Sequence, residues 1–162
     1  MNAEKSLRRL HKLLRAKKYP KALRLVLRPK RDTIKPPFRR DLNHAWFLVG
    51  EIHYRMGALR KSTAAFQKAL EHWPQDQEAL LALADCRSEL GQAAEAERLL
   101  RGGLEQWSGD AQLIFNLGNA LFDQGQYEAS IQEYQKTRGD REIWPLAKRN
   151  IRSAKFQIKQ GR

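Results

Sequence analysis

Cysteine is almost missing from this sequence: Cys86 stands alone, so the chain can build neither an internal disulfide framework nor a paired-thiol metal site. The four histidines, His11, His44, His53 and His72, are scattered and do not fall at ligand spacing. Long apolar runs are lacking too. No stretch approaches a transmembrane span, and the first thirty residues are basic throughout, without the uninterrupted apolar core of a secretory signal. An organellar transit peptide stays open as a reading of that start, beside a folded helix pair; the expected location is cytoplasmic. Phosphate-binding loops are absent, and no nucleophile stands beside a base, so nothing argues for an enzyme, a metal or a cofactor.

What the chain does have is positive charge, unevenly spread. Its formal net charge is +13. Residues 1–41 carry fifteen Lys or Arg against three acids, residues 42–137 carry eight against thirteen, and residues 138–162 carry eight against two. An acidic body thus lies between two basic ends.

The body is periodic. Gly57, Gly91 and Gly125 recur at intervals of 34 residues, and the same step links Val49, Leu83, Leu117 and Ile151, then Gly50, Ala84, Gly118 and Arg152, then Phe66, Leu100 and Tyr134. A period between about 20 and 50 residues marks a stacked repeat protein. Within a unit the apolar spacing is helical: Trp46, Val49, Gly50 and His53 run at intervals of three and four, Gly57 interrupts, and Ser62, Phe66, Ala69 and Leu70 resume the spacing. Each unit therefore reads as helix, tight turn, helix. Small residues at Gly50, Ala84 and Gly118 and at Ser62, Ala96 and Ser130 mark where paired helices cross closely. Cys86 shares a column with Ile52, Ala120 and Ala154, and reads as a small buried residue; His53 shares one with Leu121 and reads as packing rather than as an acid or base.

The series Trp46, Val49, Gly50, Gly57, Ser62, Phe66, Ala69, Pro74 resembles a tetratricopeptide repeat, and Asn116-Leu117-Gly118-Asn119-Ala120 with Gly125-Gln126-Tyr127 resembles it more closely. The resemblance covers about residues 43 to 159 and implies an all-α fold, a right-handed superhelical stack of antiparallel helix pairs. Three units are expected at 43–76, 77–110 and 111–144, followed by a capping helix over 145–162. Residues 1–42 read as a degenerate basic helix pair, with Tyr19 and Ala22 standing where Tyr127 and Ser130 stand. About six extra residues fall in the proline-bearing stretch 28–41, expected as a surface loop.

Such repeats commonly bind a peptide or helix along the first helices of each unit. Carried over column by column, the expected groove residues are Phe47, Glu51, Tyr54, Leu81, Asp85, Phe115, Asn119, Phe122 and Phe156, with Glu89 and Asp123 at the edge. Aromatic and acidic character suits a ligand with apolar anchors and Lys or Arg. Phe47 and Glu51 stand where the carboxylate-holding subfamily would want Lys and Asn, which disfavours a carboxylate clamp. The leading expectation is a non-enzymatic interaction scaffold or chaperone-like adaptor for a protein or peptide partner. The alternative is a nucleic-acid or anionic-surface binder using Arg8, Arg9, Lys12, Arg15, Lys17, Lys18, Lys21, Arg24, Arg28, Lys30, Arg31, Arg39 and Arg40. Tyr19 and Phe38 are the aromatics available there for stacking. Charge complementarity also leaves open that the basic N-terminal arm lies across the acidic groove of its own molecule, as an autoinhibitory device, or of a neighbouring one, in a homo-oligomer. Lys148, Arg152 and Lys155 have turned basic in columns that would pack against a following helix; capping explains this first and a binding surface second.

Overall fold

The computed structural model describes residues 3–28 and 31–161, so Lys30 lies outside the described residues. Contacts divide the chain into two units, residues 1–79 and 80–162.

In the first unit, α1 (Ala3–Arg15) and α2 (Tyr19–Val26) form the basic helix pair. Leu10, Ala22 and Val26 are fully buried, so the leucine stripe of α1 meets α2, and the Lys and Arg positions of both helices face water. A two-residue antiparallel ribbon, β1 (Leu27–Arg28) with β2 (Thr33–Ile34), and a 3-10 turn, Pro36–Phe38, lead to α3 (Leu42–Arg55) and α4 (Leu59–His72). The expectation of a surface loop over 28–41 holds for its exposed charged residues and is corrected at Ile34 and Phe38, which are buried. Ile34 and Phe38 belong to the same buried cluster as Trp46, Val49 and Ile52, and Lys35 N donates to Val26 O at 2.8 Å. The six extra residues thus cover apolar surface, and Phe38 is core rather than a stacking platform.

The second unit contains most of α5 (Gln77–Glu89), then α6 (Ala93–Gln106), α7 (Ala111–Asp123), α8 (Tyr127–Lys136), a 3-10 turn at Thr137–Gly139, and α9 (Ile143–Gln160). Leu113, Leu117 and Leu121 are buried along α7 with Ala84, Ala96 and Leu100. Each such leucine contributes roughly 1.5–3 kcal/mol of transfer free energy. Cys86 is buried, as its column implies.

Two local devices set the helix limits. Aspartates start α3, α5, α7 and α9: Asp41 accepts from His44 N at 2.9 Å, Asp76 from Ala79 N at 3.0 Å, Asp110 from Leu113 N at 2.9 Å, and Asp140 from Ile143 N at 2.7 Å. Each satisfies an amide that the first helical turn leaves without an intrahelical partner. Between the helices of a pair the chain turns through a left-handed residue. Gly125 has φ +74°, with Gly125 N donating to Phe122 O and Gln126 N to Leu121 O, both at 2.9 Å. Lys17 takes the same place in the basic pair at φ +53°, with Lys17 N donating to Leu14 O and Lys18 N to Leu13 O, again at 2.9 Å. The degenerate pair keeps the turn geometry although it has lost the glycine.

Helix crossing is governed by paired columns. A Cβ on Gly50 would stand 2.5 Å from the Phe66 ring, and one on Gly118 would stand 2.5 Å from the Tyr134 ring. The middle repeat has Ala84 and Leu100 in these columns, in one core cluster. A methyl on the first helix is thus accompanied by loss of the ring from the second, and the helices stay close-packed.

Candidate functional site

Within the second unit α5, α7 and α9 line a cleft of about 390 Å³. The period builds it, because positions one repeat apart on these first helices face the same way. Asn116 on α7 donates from Nδ2 to Asp85 Oδ1 on α5 at 3.2 Å, and Asn150 on α9 donates from Nδ2 to Asn119 Oδ1 on α7 at 2.9 Å. Both bonds join residues 31 apart, so the same link is made twice at an interval of one repeat. Tyr134 reaches in from α8, its hydroxyl donating to Asn119 Oδ1 at 2.8 Å, while Asn150 Nδ2 lies 3.4 Å from the same hydroxyl. Asn119 Oδ1 is held from two sides, which fixes the polar floor.

Around that floor stand Asp85, Glu89 and Asp123, with Ser88, Ser153 and Phe122 completing the wall. The described lining carries no Lys or Arg. Asp85 keeps a solvent-exposed edge, yet the enclosing wall removes enough hydration to push its pKa up to about 6, with the neighbouring Glu89 adding to the shift. Burial also raises the pKa of Asp123. Burial pushes the Tyr134 hydroxyl up to about 12, opposed by its hydrogen bond with Asn150 and reinforced by Asp123. The cleft therefore presents three solvent-reachable carboxylates and a set of amide oxygens beside one aromatic face. A cation with several N–H donors answers all of these at once.

Of the residues expected from sequence in this unit, the structure brings Asp85, Asn119 and Phe122 together in the cleft. Phe122 also meets the Tyr127 ring edge-on at 5.2 Å. Leu81 is half-buried against the core cluster, and Phe115 is half-buried on Tyr134 with ring centroids 5.7 Å apart. Phe156 is 58% exposed and stands outside the lining. Tyr134, Asn116 and Asn150 were missed as site residues. The signal available was a polar Asn116–Asn150 column among apolar ones, and a tyrosine hydroxyl where Phe66 has none.

In the first unit, Phe47 repeats the Phe115 arrangement, half-buried on Phe66 at 5.4 Å. Glu51 lies 3.8 Å from Arg55, and Tyr54 is 37% exposed. Among the basic residues, Arg8 pairs with Glu4 and Arg39 Nε donates to Ile34 O at 2.9 Å, so these two also serve local structure. Arg9 lines a hollow of about 330 Å³ with Leu13, Lys21, Arg24 and Leu25. Lys12, Arg15, Lys17, Lys18 and Arg40 are exposed. His53 is buried with Nδ1 unpartnered, and burial followed by the nearby Lys61 lowers its pKa despite the opposing Asp32.

Paired helices joined by left-handed turns, repeated every 34 residues with their first helices around a cleft, define a helical-repeat protein. The chain belongs to the tetratricopeptide repeat proteins: family models described as "Tetratricopeptide repeat" match residues 53–106 and 87–147. Among solved structures, it is similar to MamA, residues 41 to the end, from Desulfovibrio magneticus RS-1 (18% identity, 98% of this chain and 92% of that one, TM-score 0.71). It is also similar to the Sgt2 repeat domain from Aspergillus fumigatus (19%, 74% and 80%, TM-score 0.64). A third is the first repeat domain of Spaghetti (RPAP3) bound to the HSP90 peptide SRMEEVD (15%, 73% and 94%, TM-score 0.65). Comparison with curated protein sequences gives no significant match. Among the described residues no helix is long and apolar enough to cross a membrane.

Proposed function

We propose that this protein is a non-enzymatic interaction scaffold that holds a peptide or helix bearing basic and apolar residues in the cleft between α5, α7 and α9. The observation that carries the reading is the convergence of Asp85, Glu89 and Asp123 on a hydrogen-bonded amide floor, with Phe122 beside it. A Lys or Arg entering there gains charge-assisted hydrogen bonds where competing water is reduced, and Phe122 offers a face to an apolar or guanidinium neighbour. The RPAP3 domain was solved with SRMEEVD, an acidic-ended peptide. The carboxylates lining this cleft favour the opposite charge.

The test is fluorescence anisotropy with a labelled peptide in which Arg alternates with Leu and Phe, read against its Arg-to-Glu counterpart. The Arg peptide should bind and the Glu peptide should not, and Asp85→Asn with Asp123→Asn should weaken binding by at least about tenfold, equivalent to about 1.4 kcal/mol. Equal affinity in the double variant, with folding verified by circular dichroism, would remove the cleft from consideration.

A second reading, an anionic partner at the basic helix pair, is supported by Arg9, Lys21 and Arg24 around one hollow. With Phe38 buried and Tyr19 half-buried, charge would carry it alone, and affinity for duplex DNA would fall steeply with salt.

A further inference from the structure

The outer face of α9 departs from its own repeat. On α7 the columns Ile114, Leu117, Gly118 and Leu121 are buried, and α8 packs on that helix with the Tyr134 ring over Gly118. One period later the same columns read Lys148, Ile151, Arg152 and Lys155. These four residues line a hollow of about 470 Å³ together with Arg138 and Trp144. The described lining thus holds four cations and no carboxylate. Trp144 stands between two of them, 5.6 Å from the Arg138 guanidinium and 5.9 Å from Lys148 Nζ.

We infer that this hollow is a docking seat for an acidic amphipathic helix of a partner protein, lying on the columns of α9 that correspond to those α8 covers on α7. The register argues for a helix: the hollow occupies the columns that the second helix covers in the preceding pair. Charge complementarity argues for acid. Arg152 replaces the glycine that admits a ring in that pair, so an incoming helix offers a carboxylate at this crossing in place of an aromatic. Lys148, Arg152 and Lys155 follow one another at intervals of four and three along one face of α9, a row that glutamates at the reversed spacing, three and then four, on an antiparallel helix can meet. Ile151 and Trp144 supply apolar contact for leucines beside those glutamates. Asn150 and Ser153 on the same helix line the cleft already described. The two sites are tested separately.

The probe is a capped peptide of about 14 residues, roughly four helical turns, with glutamates at i, i+3 and i+7 flanked by leucines. It is titrated with the full chain by anisotropy and by circular dichroism. The expected result is saturable binding with a gain of peptide helicity. Affinity should fall by at least about tenfold for the Gln-substituted peptide and for the Arg152→Glu, Lys155→Glu variant, while Asp85→Asn leaves it unchanged. Arg152 and Lys155 are exposed, and an unchanged melting transition confirms that the variant remains folded. Three results would each overturn the inference: no binding, meaning that the charges only keep this face in water; binding without helix gain or equally by the Gln peptide; or a duplex DNA probe that outcompetes the peptide at the same residues, which makes the seat a phosphate site.

Discussion

At Gly118 a single missing methyl decides the approach of two helices. Gly118→Ala places a Cβ against the Tyr134 ring, and the helix or the ring must move, at a cost of about 1–3 kcal/mol. The middle repeat suggests its own remedy, since Ala84 is accompanied by Leu100. Adding Tyr134→Leu to Gly118→Ala should therefore cost less than the two changes summed, by roughly 1 kcal/mol, in urea unfolding of all four proteins. Strict additivity would show that the columns do not compensate. His53 illustrates a different conflict: a residue in the column of Leu121 brings a ring nitrogen into the core without a hydrogen-bond partner, and its lowered pKa follows from that burial and from Lys61.

Among elements, the connections between paired helices are the most regular feature and the one where sequence and geometry part. Gly57, Gly91 and Gly125 mark left-handed turns, and the same turn persists at Lys17, where a side chain opposes it. Lys17→Gly should stabilise the first unit by about 1 kcal/mol, measured as a rise in the unfolding midpoint. A fall would mean that the added freedom of the unfolded chain outweighs the relief of strain. The stretch 28–41 teaches the converse. Its prolines and charges read as loop, but Ile34 and Phe38 alternate with them at positions that the ribbon and the 3-10 turn direct inward. That inward direction depends on pairing Leu27 with Ile34, a contact that helical periodicity gives no hint of.

For the whole molecule, pH links the cleft to stability and to binding with opposite signs. An unfolded Asp85 ionises near 3.8 and the folded one near 6, so between these values the folded chain holds a proton that the unfolded chain has released. Its contribution to stability therefore falls as pH rises from about 4 to about 6 and is flat above. Unfolding titrations of the wild type and Asp85→Asn should differ by that slope. Affinity for the Arg-bearing peptide should instead rise through about pH 6 as the carboxylate forms, and Asp85→Asn should flatten the rise. A pH-independent affinity in the wild type would detach Asp85 from the ligand.

The sequence by itself determined the repeat: its length of 34 residues, the helix–turn–helix plan, the turn glycines and the small residues at the crossings, because each is imposed by local geometry that recurs at fixed spacing. It also marked Asp85, Asn119 and Phe122, since residues one period apart on successive first helices share a face. Only the tertiary structure decided that Tyr134 reaches from a second helix to the cleft floor, that Phe115 is occupied by Tyr134, and that residues 28–41 cover a core. Those outcomes depend on which side chain fills the space another leaves, and periodicity along a chain does not specify distances across it.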